Sequence, residues 1–215
     1  MQSKSLVRNL IIFGAPLSYV VIGAVHPIEL SVGDDPDLYI GIHFVQLFSI
    51  WGMALLLRYL IEGVDNRAAR IARVAILPYA IVYSALDGMA GVAVGVLVRL
   101  ANGMTLVEQQ AFQRLLDQAE TDPFVLILNL ATGVCWLVAA GAAVLSLRSR
   151  AHAGALALLL LGAAIFAVGH PFPPGPVGMT LFLSGLIWLQ LSGASSNRPE
   201  VITTWIEPQP RGLSS

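Results

Sequence analysis

VAILPYAIVYSALDGMAGVAVGVLV, residues 74–98, is the stretch on which the fold turns. It is long and apolar enough to cross a bilayer core as a helix, which takes about 20 mostly apolar residues. Its one charged residue is Asp87. Tyr79, Tyr83, Asp87, Gly91 and Gly95 recur every four residues and therefore share a helix face, with Ser84 and Gly88 beside it. Glycines on that face let a neighbouring helix approach closely, so it is expected to point inward. Asp87 is then buried in a bundle, twelve residues from Arg99 and roughly 15–18 Å below that end of the helix.

Five more segments read the same way: about 9–26, 38–61, 123–147, 153–170 and 177–193. Of 215 residues, 56% are hydrophobic and 12% charged, against about 25% charged in a soluble domain. A mean hydropathy of +0.76 means that lipid must serve as part of the solvent. The expected fold is an all-α integral membrane bundle of six spans over residues 1–194, followed by a polar, loosely ordered tail over 195–215. The first segment has a signal-like layout, with Lys4 and Arg8 ahead of an apolar run. No small-x-small cleavage site follows, so it reads as an uncleaved span.

Cationic residues orient the bundle. With the N-terminus inside, Lys4, Arg8, Arg58, Arg67, Arg70, Arg73, Arg148, Arg150, Arg198 and Arg211 are cytoplasmic, and Arg99 and Arg114 are external. That asymmetry predicts both termini on the cytoplasmic side of a bacterial-type inner (plasma) membrane. A net charge of −1 gives no basic patch for nucleic acid. The lone Cys135 excludes an internal disulfide and a cysteine-based zinc module.

In the second external loop, Thr105 and Glu108 form a capping-box pattern, and Val107, Ala111, Leu115 and Ala119 repeat at helical spacing. A short amphipathic helix on the outer surface, covering the bundle, is predicted. Asp122-Pro123 supplies an N-cap and a first-position proline for the fourth span.

Polar groups within spans are costly and mark candidate sites. Asp87 is the candidate catalytic acid/base, proton carrier or metal ligand, with a protonated or hydrogen-bonded packing role as the structural alternative. His43 and Gln46 lie one above the other on span two, and Asn129 lies six residues past Pro123 on span four, with Thr132 a little deeper. Gln46, Tyr83, Ser84, Asn129 and Thr132 are expected to line a polar cavity. Gly23-Ala-Val-His-Pro27 and Ala167-Val-Gly-His-Pro171 both end spans on the outer side, placing His26 and His170 at one depth. His152 reads as a solvated residue of a cytoplasmic turn.

Three neutral imidazoles, His26, His43 and His170, with an open fourth position suit a divalent metal ion of zinc type. The structural alternative for His26 and His170 is capping of helix C-termini. Two facing imidazoles such as His43 and His170 suit a single haem instead. A small transporter using Asp87, Gln46 and Asn129, or a structural protein, forms the remaining class. A substrate reaching the site would be small or lipidic, with membrane lipids as the immediate partners.

In outline, the chain resembles the membrane-embedded zinc hydrolases that include alkaline ceramidases and adiponectin-type receptors. The resemblance implies metal-dependent hydrolysis within a helical bundle. Those proteins have one span more, a Ser-x-x-x-Asp pair and an H-x-x-x-H pair on the last span. Here the spacing is Ser84-x-x-Asp87 and span six has no histidine, so no residue role is carried over.

Overall fold

A computed structural model of the chain describes residues 2–27, 30–169 and 173–195. Among these the secondary structure is helical, without strands: α1 (Gln2–Val25), α2 (Pro36–Leu60), α3 (Arg67–Leu86), a π-helical segment (Asp87–Ala93), α4 (Val94–Ala101), α5 (Leu106–Glu120), α6 (Pro123–Ser146), α7 (Ala153–Val168) and α8 (Pro174–Ser195). Five rods, counting α3 through α4 as one, are long and apolar enough to cross a membrane. The bundle is thus compatible with a multi-pass membrane protein. The segment expected over 153–170 is shorter as built: sixteen residues make α7 about 24 Å long, less than a typical hydrocarbon core. His170 and the tail over 196–215 lie outside the described residues.

Local chemistry explains where the helices begin. Asp35 accepts from the N–H groups of Asp37 and Leu38 and Pro36 opens α2, while Asp122 accepts from Phe124 ahead of Pro123 in α6. Each satisfies donors that a helix N-terminus leaves unpaired. His152 is exposed, as expected of a turn residue, and its Nδ1 also accepts from the Gly154 N–H and caps α7. Its ring also stacks on Trp188 of α8, centroids 5.1 Å apart.

The long helices close a ring in the order α1, α2, α3, α6, α7, α8, with α8 returning to α1. Between α7 and α8 the approach is backbone to backbone. A Cβ on Gly162 would lie 2.6 Å from the Gly178 carbonyl oxygen, and one on Gly178 would lie 2.7 Å from the Phe166 nitrogen. Small residues of this kind let helices associate where hydrophobic driving force is weak.

Inside the ring, Tyr19, Tyr79, Tyr83, Trp136, Phe166 and Phe182 form an aromatic core. The Trp136 indole N–H donates to the Ala163 carbonyl at 2.9 Å, as a buried indole requires. Toward the arginine-rich end the large fully buried side chains are apolar, among them Ile50, Met53, Leu56 and Leu57, and the buried Ser146 hydroxyl is satisfied within its own helix by the Ala143 carbonyl. Arg8 pairs with Glu62 at 3.0 Å, and Asn66 donates to the Ser146 carbonyl at 2.9 Å, tying that end together.

At the aspartate-rich end, α5 forms with the predicted cap: the Glu108 carboxylate accepts from both the N–H and the hydroxyl of Thr105. Its docking face differs from expectation. Leu116 and Phe112 pack on Leu30, Val98 and Tyr39, whereas Val107, Ala111, Leu115 and Ala119 are exposed. Polar bonds select this rotation, since the Gln113 side-chain oxygen Oε1 accepts from the Val32 N–H at 2.8 Å. Arg99 also pairs with Asp37, joining α4 to the start of α2.

Candidate functional site

A period of four advances about 40° per step around a helix of 3.6 residues per turn, so the Tyr79-to-Gly95 row should spiral off its face. The π segment at Asp87–Ala93 removes that drift, because its turns hold more residues. Asp87 and Gly91 therefore stay buried against α2. The widened backbone is secured from outside, the Tyr39 hydroxyl donating to the Ala90 carbonyl at 3.1 Å. Gly91 vacates the volume that the His43 imidazole fills, and a Cβ there would overlap the ring.

His43 Nδ1 lies 2.7 Å from Asp87 Oδ1, both side chains being almost fully buried. His43 Nε2 lies 3.1 Å from His26 Nε2, and His26 Nδ1 lies 2.5 Å from the Pro27 carbonyl oxygen. Pro27 follows the last turn of α1 and cannot extend the helix, which turns the chain so that His26 folds over the bundle. Tyr39 completes the enclosure, its ring centroid 4.4 Å from that of His43 and 5.6 Å from that of His26. A continuous polar chain thus runs from Pro27 through His26 and His43 to Asp87.

Proton counting constrains the chain. A carbonyl only accepts, so His26 Nδ1 carries a hydrogen. If His43 likewise donates through Nδ1 to the Asp87 carboxylate, two Nε2 lone pairs face each other at 3.1 Å. That contact then requires positive charge between the atoms, a shared proton or a metal ion, whereas a protonated Asp87 donating to His43 Nδ1 leaves His43 Nε2–H to donate to His26 Nε2. Asp87 Oδ2 and Gln46 Oε1 are buried and have no hydrogen-bond partner among the described residues.

One turn deeper, the Gln46 amide donates to the Tyr83 hydroxyl at 3.3 Å. Ser84 is half-buried, its hydroxyl without a partner among the described residues. Asn129 and Thr132 line a separate cavity between α3, α6 and α7, whose wall includes Tyr83 but not His26, His43 or Asp87. His26, His43, Asp87, Gln46 and Tyr83 are thus brought together, while Asn129 and Thr132 stand across α3. The pairing of His43 with His170 about a haem lies outside the described residues, and His43 Nε2 is directed at His26. No group of three or more His, Cys, Asp or Glu side chains is gathered for a metal ion among the described residues. Sequence reading passed over Tyr39, which both walls the histidines and braces the π segment. Its spacing from His43, four residues and so one turn up the same face, was the available signal.

The class is therefore that of a helical bundle compatible with a multi-pass membrane protein, with a buried His–His–Asp chain near its aspartate-rich end. No known protein family, curated protein or solved structure matches the chain.

Proposed function

We propose that this is a six-span protein of a bacterial-type inner membrane, both termini cytoplasmic, whose external half holds a divalent metal ion of zinc type at His26 and His43. The observation that carries the site is the approach of the two Nε2 atoms to 3.1 Å, with His26 Nδ1 on the Pro27 carbonyl and His43 Nδ1 on an Asp87 oxygen. Two nitrogens at about 2.0 Å from a tetrahedral ion stand about 3.3 Å apart. Metal-bound histidines characteristically give their other N–H to a carboxylate or a backbone carbonyl, which fixes the ring and raises its basicity. Asp87 and the Pro27 carbonyl fill those two places. Asp87 is then a positioning residue for His43.

Two imidazoles leave coordination positions for solvent, substrate or further ligands, and a divalent ion there supplies Lewis-acid polarisation of what occupies them. The apolar packing toward the arginine-rich end favours a one-sided binding or hydrolytic site over a conducting path. A second reading rests on the same bonds. In it the positive charge between the Nε2 atoms is a proton, and Asp87, His43 and His26 form an acid–base relay.

Elemental analysis of protein purified without chelator separates the two. About one zinc-type ion per chain is expected, lost from His26→Ala and His43→Ala and kept in His152→Ala, whose imidazole caps α7. Protein that stays metal-free after equilibration with zinc overturns the metal site and leaves the relay.

A further inference from the structure

Across α3 from the histidines, a cavity of about 500 Å³ lies between α3, α6 and α7, within the range that holds small ligands. Leu130 and Val168 stand on its wall and are 69% and 82% exposed, so it opens sideways, where hydrocarbon surrounds a membrane bundle. Tyr83, Leu86, Trp136 and Phe166 form its floor and back, and no charged side chain lines it among the described residues. Two polar side chains face α6's part of the wall. The Thr132 hydroxyl donates within its own helix, to the Leu128 carbonyl at 2.8 Å. Asn129 is different: its carboxamide is exposed and makes no hydrogen bond among the described residues.

Asn129 sits six residues past Pro123, about 9 Å along α6. At that depth water is scarce, and an amide without a partner is costly. Its occupant must therefore bring both an apolar body and a polar group that meets Asn129. We infer that this cavity binds one acyl chain of a lipid from the leaflet at the aspartate-rich end, with the ester or amide carbonyl of that lipid accepting from Asn129 Nδ2. The chain lies against Leu130, Phe166 and Val168, and the absence of charge in the wall suits the neutral linkage rather than the headgroup. The inference stands apart from the metal reading. Tyr83 connects the two places, lining the cavity and accepting from Gln46 one turn below His43.

Photolabelling tests it, with a phosphatidylglycerol carrying a diazirine in one acyl chain, added to the full chain in dodecyl maltoside micelles, whose detergent has no ester or amide carbonyl. Labelling of α6 around 129–136 and of α7 around 166–169 is expected, saturable by unlabelled phosphatidylglycerol. Asn129→Leu should weaken that labelling about five-fold, the factor that one ordinary hydrogen bond supplies. Leu130→Trp, a substitution at an exposed position, should block the mouth and weaken it independently. Labelling that does not saturate, or that is unchanged in Asn129→Leu, overturns the inference. So does a wild-type dimer that Asn129→Leu converts to monomer, because Asn129 then seals an interface between copies. Metal content is read separately on the same samples, so failure here is distinct from failure of the histidine site.

Discussion

Gly91 and His43 are complementary in shape: the imidazole on α2 occupies the space a side chain on the π segment would need. Gly88, three residues earlier, has open space at the corresponding position. Gly91→Ala should therefore destabilise the bundle by about 1–3 kcal/mol through overpacking and displace His43. Gly88→Ala should be neutral within about 0.5 kcal/mol or stabilising. Thermal unfolding in detergent checks both, and equal melting temperatures for the two variants would refute the steric account.

Asp87 tests the orientation of His43. Asp87→Asn keeps an oxygen that can accept from Nδ1 but removes the charge, so the protein should fold. Zinc affinity should fall about 10–100-fold, the usual effect of losing an outer partner of a ligating histidine. Asp87→Ala removes the acceptor altogether and leaves a buried N–H unpaired, costing about 1–3 kcal/mol of stability. Zinc titration and unfolding curves measure the two effects. An Asn variant that binds zinc as tightly as wild type would remove Asp87 from the site.

The start of α5 should be acid-sensitive. The Glu108 carboxylate is held below its ordinary pKa by the hydroxyl and N–H of Thr105. A depressed pKa in the folded state means the contribution is present above the unfolded value and is lost as pH falls through the folded one. Amide hydrogen exchange in the first turn of α5 should accelerate, relative to the intrinsic rate, on going from about pH 6 to about pH 3. Thr105→Ala should reduce that difference. A first turn whose protection is independent of pH would show that the cap contributes nothing.

The proposed orientation has its own check. Reporter fusions after residues 65 and 150 should read cytoplasmic, and fusions near 33 and 110 external. Arg8 and Glu62 already meet at one end of the bundle and Arg99 and Asp37 at the other. A cytoplasmic signal at 110 would break the six-span order and move the histidine pair to the wrong side.

By itself, the sequence determined the helices and their caps, since these depend on neighbours along the chain. Apolar runs longer than about 20 residues leave few alternatives in lipid. Asp35-Pro36, Asp122-Pro123 and the Thr105–Glu108 pair act within one turn, so their bonds can be read from spacing alone. The inward face of residues 79–95 was legible for the same reason, and its strict period of four already carried the trace of a widened turn. Tertiary structure decided the partners. That His43 meets both His26 and Asp87, and that Asn129 stands across α3 from them, depends on how the helices around the ring are rotated and shifted. Those rotations are set by contacts far apart in sequence, such as the Gly162–Gly178 approach and the Trp136 bond to Ala163. For α5, an exposed row at helical spacing and a docked one are indistinguishable in a sequence of mixed polarity. The bond from Val32 to Gln113, 81 positions along the chain, chose between them.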